Sequence, residues 1–257
     1  MFDLPMNGGG GGRGWSARPA KRSRRDVRYL PLRRYTALVA FLFCGPLQAV
    51  SLTVELRDND GKPLSEAVVW IEPAAGDPAA GDPAAPQGRL PAEQPLVMDQ
   101  QRRLFTPYIL PVQRGTRVIF PNSDPINHHV YSFSPAKRFE LRLHHQGDSA
   151  QEVTFDKAGL VTLGCNIHDW MLGFILVLDS PWFAQTDAEG RARLDYQPAA
   201  GQRLHVWHPR IGDAPENLVR PVEQPGTLRI QLTERLKRDP RPKPPIDRPR
   251  GKGGYVP

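Results

Sequence analysis

Cysteine is scarce in this chain of 257 residues, which contains only Cys44 and Cys165. A fold held by disulfide bonds, a zinc ribbon and an iron–sulfur cluster each need more thiols, which argues against all three classes. The sequence pattern of an amphipathic helix is also lacking, because no stretch repeats its apolar residues at a sustained period of 3.6 residues. Short apolar runs alternate instead with turn residues, and this pattern predicts an all-β fold.

Hydrophobic runs long enough to span a bilayer are missing from the N-terminal region. Its apolar run, residues 35–44, follows Arg33 and Arg34 and is too short for a stable membrane-spanning helix. Basic residues, an apolar run and then a small residue, Ala49, form the order of a signal peptide. We therefore interpret residues 1–49 as an N-terminal extension and signal peptide of a periplasmic or otherwise exported protein, with an uncleaved anchor as the alternative.

Positive charge is confined to the two ends of the chain. Residues 1–49 carry 9 Lys and Arg against 2 Asp and Glu, and residues 233–257 carry 8 against 3. The body, residues 50–232, carries 17 against 22 and is mildly acidic. A nucleic-acid-binding domain would carry its basic residues on the folded body, so no nucleic-acid partner is expected. The Pro-rich basic segment 233–257 is predicted to be a disordered tail.

Predicted strands follow one another along the body, interrupted by turn residues and one linker. Leu52-Thr-Val-Glu-Leu-Arg57 alternates apolar and polar residues, as a half-buried strand does. A Gly-Asp-Pro-Ala-Ala repeat marks residues 76–95 as an exposed linker. The further predicted strands cover residues 67–71, 96–98, 108–110, 116–120, 129–133, 152–155, 159–165, 173–178, 191–194, 204–207 and 227–232.

Metal-ligating side chains are concentrated in Gly164-Cys-Asn-Ile-His-Asp-Trp-Met171. A thiolate, an imidazole and a thioether follow one another at Cys-x2-His-x2-Met spacing between two predicted strands. A short loop can therefore turn Cys165, His168 and Met171 toward one point. His128 or His129, at the start of a predicted strand, would add a second imidazole. Adjacent residues of a strand face opposite sides, so only one of the two can reach the metal.

Two imidazoles, one thiolate and a weak axial thioether form the ligand set of a blue-copper electron-transfer site. Soft sulfur suits copper(I) and nitrogen suits copper(II), so a fixed compromise geometry serves both oxidation states. Zinc is the competing metal, because it accepts Cys and His, although it gains little from a thioether. The structural alternative is a buried free cysteine beside a core methionine and a surface histidine.

Residues 96–180 resemble the cupredoxins, especially the plastocyanin-like and amicyanin-like proteins often labelled methylamine utilization proteins. The resemblance is carried by the Cys-x2-His-x2-Met loop and by two upstream motifs. These motifs are Phe105-Thr-Pro-Tyr-Ile-Leu-Pro-Val-Gln-Arg-Gly-Thr-Arg-Val-Ile-Phe-Pro-Asn122 and Asn127-His-His-Val-Tyr-Ser-Phe-Ser-Pro135. The resemblance implies one copper ion, cycling between Cu+ and Cu2+, with the ligands His128, Cys165, His168 and Met171.

The same resemblance implies that Asn122, His129 and Asn166 surround these ligands. The sequence departs from the family at two positions. His129 replaces the Asn that ties the two ligand loops together in the family, and Asp169 stands where many members have Pro. Neither departure removes a ligand.

A second resemblance covers the rest of the body. Residues 52–71, with 186–194 and 200–207, look like the two halves of a carboxypeptidase regulatory-like domain, which has a carbohydrate-binding-like fold. The implied architecture is a Greek-key cupredoxin sandwich, residues 96–180, inserted in or following a small Ig-like sandwich of residues 50–75 plus 181–232. Sugar binding would need exposed aromatic side chains. Trp182, Tyr196 and Trp207 are available, but core packing is the role expected of them.

The resulting hypothesis is an exported type 1 copper protein that transfers one electron at a time between redox partner proteins. On this hypothesis the protein is not an enzyme, and it contacts a membrane only through its N-terminal signal or its basic tail. The alternative is a copper-binding or carbohydrate-contacting envelope module without a redox cycle. Nothing in the residues indicates amine recognition.

Overall fold

The computed structural model describes residues 49–73, 96–212 and 218–241, and its regular elements are all β-strands. The all-β prediction is therefore confirmed for this part of the chain. No helix in these ranges is long and apolar enough to cross a membrane. The predicted signal segment, the linker at 76–95 and the end of the tail lie outside the described residues.

The strands are β1 (Val50–Arg57), β2 (Val68–Ile71), β3 (Leu96–Val97), β4 (Asp99–Gln101), β5 (Leu104–Thr106), β6 (Ile109–Gln113), β7 (Thr116–Phe120), β8 (His128–Phe133), β9 (Arg138–His144), β10 (Gln151–Phe155), β11 (Gly159–Gly164), β12 (Leu172–Leu178), β13 (Phe183–Gln185), β14 (Arg191–Tyr196), β15 (Arg203–Trp207), β16 (Leu218–Pro221) and β17 (Gly226–Gln231).

The first sandwich packs a three-stranded sheet, in the order β14-β1-β17, against a four-stranded sheet, in the order β13-β2-β15-β16. Strand β1 runs antiparallel to β14 and parallel to β17. Its alternating sequence directs Leu52, Val54 and Leu56 into a core shared by both sheets. Tyr196 is buried in the same core.

The second sandwich holds a five-stranded sheet, in the order β6-β12-β11-β8-β9, and a three-stranded sheet, in the order β10-β7-β3. The two sheets share one apolar core, to which Phe120 and Phe155 contribute from the smaller sheet and Val161 and Ile175 from the larger. The short β4–β5 hairpin adds Phe105 to this core. Strand β10 shows the half-buried pattern, with Val153 and Phe155 directed into the core and Thr154 exposed between them.

Strand β12 is buried on both faces and joins the two sandwiches. Ile175 and Val177 face the core of the second sandwich, whereas Phe174 and Leu176 belong to a separate apolar cluster. That cluster also includes Trp207 from the first sandwich. This double burial explains why Leu172–Leu178 is a nearly continuous apolar run and does not alternate.

The chain leaves the first sandwich after β2 and returns to it at β13. Strand β2 pairs with β13 and β15, which places residues 68–71 in the first sandwich. The finer domain boundaries and the resemblance of this sandwich to a carboxypeptidase regulatory-like domain stay predictions.

The start of the C-terminal segment differs from the prediction of a disordered tail beginning at residue 233. Residues up to Arg241 lie against the folded body. The backbone N–H of Lys237 donates to the carbonyl of Arg210 at 2.8 Å, and the Arg241 guanidinium donates to Glu66 at 2.7 Å. Arg241 also lies 4.3 Å above the ring of Tyr108. An ion pair and a cation–π contact on one side chain give this basic segment partners that its composition does not reveal.

Candidate metal centre

Three metal-ligating side chains converge at one end of the second sandwich. The Sγ atom of Cys165 lies 3.8 Å from Nδ1 of His168 and 4.0 Å from Nδ1 of His128. All three ligand atoms lie within 4.8 Å of one another. Cys165 follows β11 and His128 begins the neighbouring antiparallel strand β8, so both stand at the same sheet end. His168 comes from the loop that starts at Cys165.

The spacing of these atoms fits one ion. Metal–nitrogen and metal–sulfur bonds of about 2.0 and 2.3 Å, meeting at about 120°, place the two donors about 3.7 Å apart. The observed nitrogen–sulfur distances of 3.8 and 4.0 Å are close to that value. Among the His, Cys, Asp and Glu side chains of the described ranges, this is the one group of three or more that could hold a metal ion.

Met171 ends the same loop. Its side chain is 2 % exposed and belongs to the apolar core that also contains Cys165. The backbone N–H of Met171 donates to the carbonyl of His168 at 2.9 Å, and Gly164 pairs with Leu172 at the base of the loop. Cys165, His168 and Met171 are thus carried on one short connection between two paired strands.

The two adjacent histidines face opposite sides of β8. His128 is fully buried, with Nδ1 toward Cys165. His129 lies on the other face, where its Nε2 is 2.8 Å from Oε1 of Glu140 on β9. Strand alternation therefore brings His128, and not His129, to the other two donors.

Asp124 holds the far side of the His128 ring, a contact that the sequence analysis did not identify. Its Oδ2 atom is 2.8 Å from Nε2 of His128. The backbone N–H groups of Arg102 and Arg103 donate to the same carboxylate at 2.6 and 2.7 Å. Both arginines have positive φ, 56° and 59°, in the tight β4–β5 turn, which aims their N–H groups at Asp124. The hairpin thereby fixes the orientation of a candidate ligand.

Hydrogen bonds outweigh burial at this carboxylate. Burial alone would raise the pKa of Asp124, but the hydrogen bonds from Arg103, His128 and Arg102 lower it below its ordinary value. Burial also lowers the pKa of His168, with further lowering from the positive charges of His128 and Arg103. A lowered pKa keeps the His168 imidazole neutral, and its lone pair is then available to a metal.

Three further residues were expected around the ligands. Asn122 shapes the segment that leads to His128, because its side chain donates to the carbonyl of Ile126 at 2.8 Å and accepts from the N–H of Asp124 at 2.9 Å. Asn166 is exposed in the ligand loop. His129 is directed away from the metal centre, so it does not replace the tie between ligand loops.

Two exposed apolar side chains of the ligand loop lie on either side of His168 in the sequence. His168 is partly exposed, and the Trp170 ring contacts it edge-on at a centroid distance of 5.3 Å. Trp170 is 46 % exposed and Ile167 is 50 % exposed. The centre thus has a buried side, at His128 and Met171, and an accessible side at His168.

The chemistry of the donor set fits copper. The site has two imidazoles, one buried free thiol at Cys165 and one thioether, a combination of nitrogen and soft sulfur that suits both copper oxidation states. His128, Cys165, His168 and Met171 could therefore hold one copper ion.

No family model and no curated protein matches the sequence. Among solved structures, a reduced tryptophan-to-tyrosine mutant of amicyanin is similar at 22 % identity and TM-score 0.31, over 33 % of this chain and 83 % of that one. A purple cupredoxin from Nitrosopumilus maritimus is similar at 23 % identity and TM-score 0.28, over 32 % and 95 %.

A copper-containing nitrite reductase from Thermus scotoductus is similar at 26 % identity and TM-score 0.32, over 41 % of this chain but 27 % of that one. The candidate copper site is supported by the donor geometry of the second sandwich itself.

Proposed function

We propose that this chain is an exported type 1 copper protein that passes single electrons between redox partner proteins. The observation that supports this proposal is the convergence of His128 Nδ1, Cys165 Sγ and His168 Nδ1, with Met171 on the same loop. Copper bound by such donors supplies a one-electron couple between Cu+ and Cu2+. On this proposal the protein is not an enzyme.

The residues of the chain keep the donors in one arrangement in both oxidation states. His128 is fully buried and held by Asp124, which is itself held by the β4–β5 turn. Cys165 is fixed by the neighbouring pairing of β8 with β11. Met171 is held by the hydrogen bond from its backbone N–H to the carbonyl of His168. Ligands that are positioned by packing and hydrogen bonds have little to rearrange when an electron arrives or leaves.

We expect electrons to pass through the exposed side of His168. Trp170 and Ile167 surround this side with apolar surface that is about half exposed. Exposed apolar side chains beside a redox centre allow a partner to displace water and approach closely. The expected partner is a redox protein that presents an apolar face to the ligand loop.

The proposal that the protein is exported depends on the signal-like order of residues 1–49, which lie almost entirely outside the described residues. Cys165 is a buried free thiol, and an unpaired thiol in an oxidising compartment is explained if it binds a metal.

The absorption spectrum of the copper-loaded chain tests the proposal. We expect a strong visible thiolate-to-copper(II) band that disappears on one-electron reduction and returns on oxidation. Cys165→Ser and His128→Asn should abolish this band, whereas the matched control His129→Asn should keep it.

Two results would count against the carrier. A band that survives in Cys165→Ser would contradict the assigned thiolate. A colourless chain that retains copper(I) and resists oxidation would support a copper store instead. Sugar binding has less support, because Tyr196 and Trp207 are buried, at 2 % and 1 % exposure.

A further inference from the structure

A cleft of about 340 Å³ opens on the outer face of the five-stranded sheet, beside the metal centre. Tyr131 and Phe133 of β8 line one part of it, and Cys165 and Met171 contribute to another. This cleft approaches the centre from the side of the thiolate. Neither His168 nor Trp170 lines it, so it is separate from the exposed apolar surface of the ligand loop.

Two aromatic rings form a wall of the cleft. Phe133 is 67 % exposed, more than any other large apolar side chain that the structure describes as exposed. Its ring lies 5.0 Å from that of Tyr131, at an interplanar angle of 38°, and Arg138 lies 5.6 Å above it. A ring left in water beside a second ring indicates a surface on which a planar molecule can stack.

Gly164 lets the Tyr131 ring lie directly on the backbone next to Cys165. The two residues are register partners in the β8–β11 pair. A Cβ atom at position 164 would be 2.7 Å from Cζ of Tyr131, so the ring occupies the space of the missing side chain. A molecule stacked on this wall would therefore lie close to Cys165, which itself lines the cleft.

Polar groups are available at the same cleft. The Thr162 hydroxyl and the Asp169 carboxylate both line it, and neither side chain makes a hydrogen bond or ion pair within the described part of the chain. The Thr162 hydroxyl can donate a hydrogen bond to a bound molecule, and the Asp169 carboxylate can accept one. Ring-stacking surface combined with a few polar groups is the composition of a small-molecule site, and the volume is near the lower end of the usual range of roughly 300 to 1,000 Å³.

We propose that this cleft binds a small hydroxylated aromatic molecule of the phenol or hydroquinone class, which serves as an electron donor. The inference rests on the proposed function for its redox consequence, but not for binding. If copper is bound, one hydroquinone would give one electron, which would reduce Cu2+ to Cu+. The hydroquinone would also release one proton to water and leave as a neutral radical. Tyr131 and Phe133 would stack on the ring, and Thr162 and Asp169 would bind its hydroxyl groups.

An NMR titration with hydroquinone under anaerobic conditions tests binding. The copper(I)-loaded chain is diamagnetic and cannot accept a further electron from the probe, so binding is observed without reaction. We expect saturable shift changes confined to the segments 131–134, 162–165 and 169–172, which contain the residues that line the cleft. Phe133→Leu keeps apolar bulk but removes the ring, and it should weaken binding about fivefold. Leu143→Ala, at another exposed apolar residue that does not line the cleft, should leave binding unchanged.

The same titration on the metal-free chain separates this inference from the proposed function. If the visible copper band is absent but the NMR shift changes saturate and depend on Phe133, binding in the cleft is supported and the proposed function fails. If the band is present but hydroquinone produces no saturable shifts, the cleft proposal is overturned alone. Equal affinity in Phe133→Leu and the unsubstituted chain would also overturn it. In the copper(II)-loaded chain, the rate at which hydroquinone reduces the copper should level off as the hydroquinone concentration rises. Phe133→Leu should need about a fivefold higher hydroquinone concentration to reach half of the maximal rate.

Discussion

Asp124 places a negative charge beside the buried candidate ligand His128, so Asp124→Asn is expected to raise the reduction potential of the copper centre. The carboxylate is 2.8 Å from Nε2 of His128, and its lowered pKa keeps it anionic at neutral pH. An anion near the ion favours Cu2+ over Cu+. The amide of Asn is similar in size but carries no charge, so the substitution removes this preference.

The magnitude follows from the geometry. An ion on Nδ1, across the ring from Nε2, is roughly 6 to 7 Å from the carboxylate. At that distance two unit charges interact by about 2.5 kcal/mol at an effective dielectric constant of about 20, and by about 0.6 kcal/mol at about 80. For a one-electron couple these energies correspond to on the order of 30 to 110 mV. The Asp124 side chain is only 9 % exposed, which favours the upper half of that range.

A redox titration that follows the visible band measures this shift. Glu140→Gln is the matched control, because Glu140 makes the same 2.8 Å contact to His129, which is not a candidate ligand, and its side chain is 70 % exposed. Solvent and salt should screen the charge of Glu140 from the copper centre, so we expect Glu140→Gln to change the reduction potential by less than about 20 mV. A potential that falls in Asp124→Asn, or rises no more than in the control, would show that the Asp124 charge does not act on the copper centre.

Three other substitutions or conditions give distinct expectations. Gly164→Ala should lower the free energy of unfolding in urea by about 1 to 3 kcal/mol, because its Cβ would meet Tyr131, and the loss should shrink when Tyr131 is also alanine. Arg241→Ala should lower it by about 1 kcal/mol and speed proteolysis of the C-terminal segment, since the contacts to Glu66 and Tyr108 disappear; an unchanged rate would contradict this. Burial lowers the pKa of His208 from 6.5 to about 4 in the folded chain, so the unfolded chain takes up a proton at this residue more readily than the folded chain does. The stability associated with a neutral, buried His208 is therefore fully present above about pH 6.5 and is lost as the pH falls toward 4. The loss amounts to about 3 kcal/mol by denaturant titration, and His208→Gln should lose less over the same interval.

Part of the centre could be predicted from the sequence because it is local. Cys165, His168 and Met171 lie on one loop, and their spacing alone brings them near one point. Alternation of strand side chains limits the second histidine ligand to either His128 or His129, and the resemblance to the cupredoxins implied His128.

Other parts depend on contacts between distant segments. Asp124 reaches His128 in a conformation fixed by backbone N–H groups of the β4–β5 turn, and nothing in the local sequence indicates that this turn lies there. Strand β9 was not predicted, because its sequence, Arg138–His144, is interrupted by charges that an edge strand carries on its solvent face. The contact of Arg241 with Tyr108 and Glu66 likewise joins segments more than a hundred residues apart.

The proposed electron carrier requires one copper ion bound by two histidine nitrogens and the Cys165 sulfur. X-ray absorption fine structure at the copper edge of the copper(II)-loaded chain measures that environment. We expect two nitrogen neighbours and one short sulfur neighbour, with the short sulfur contribution lost in Cys165→Ser. A copper environment that contains only nitrogen and oxygen neighbours in the unsubstituted chain would contradict it.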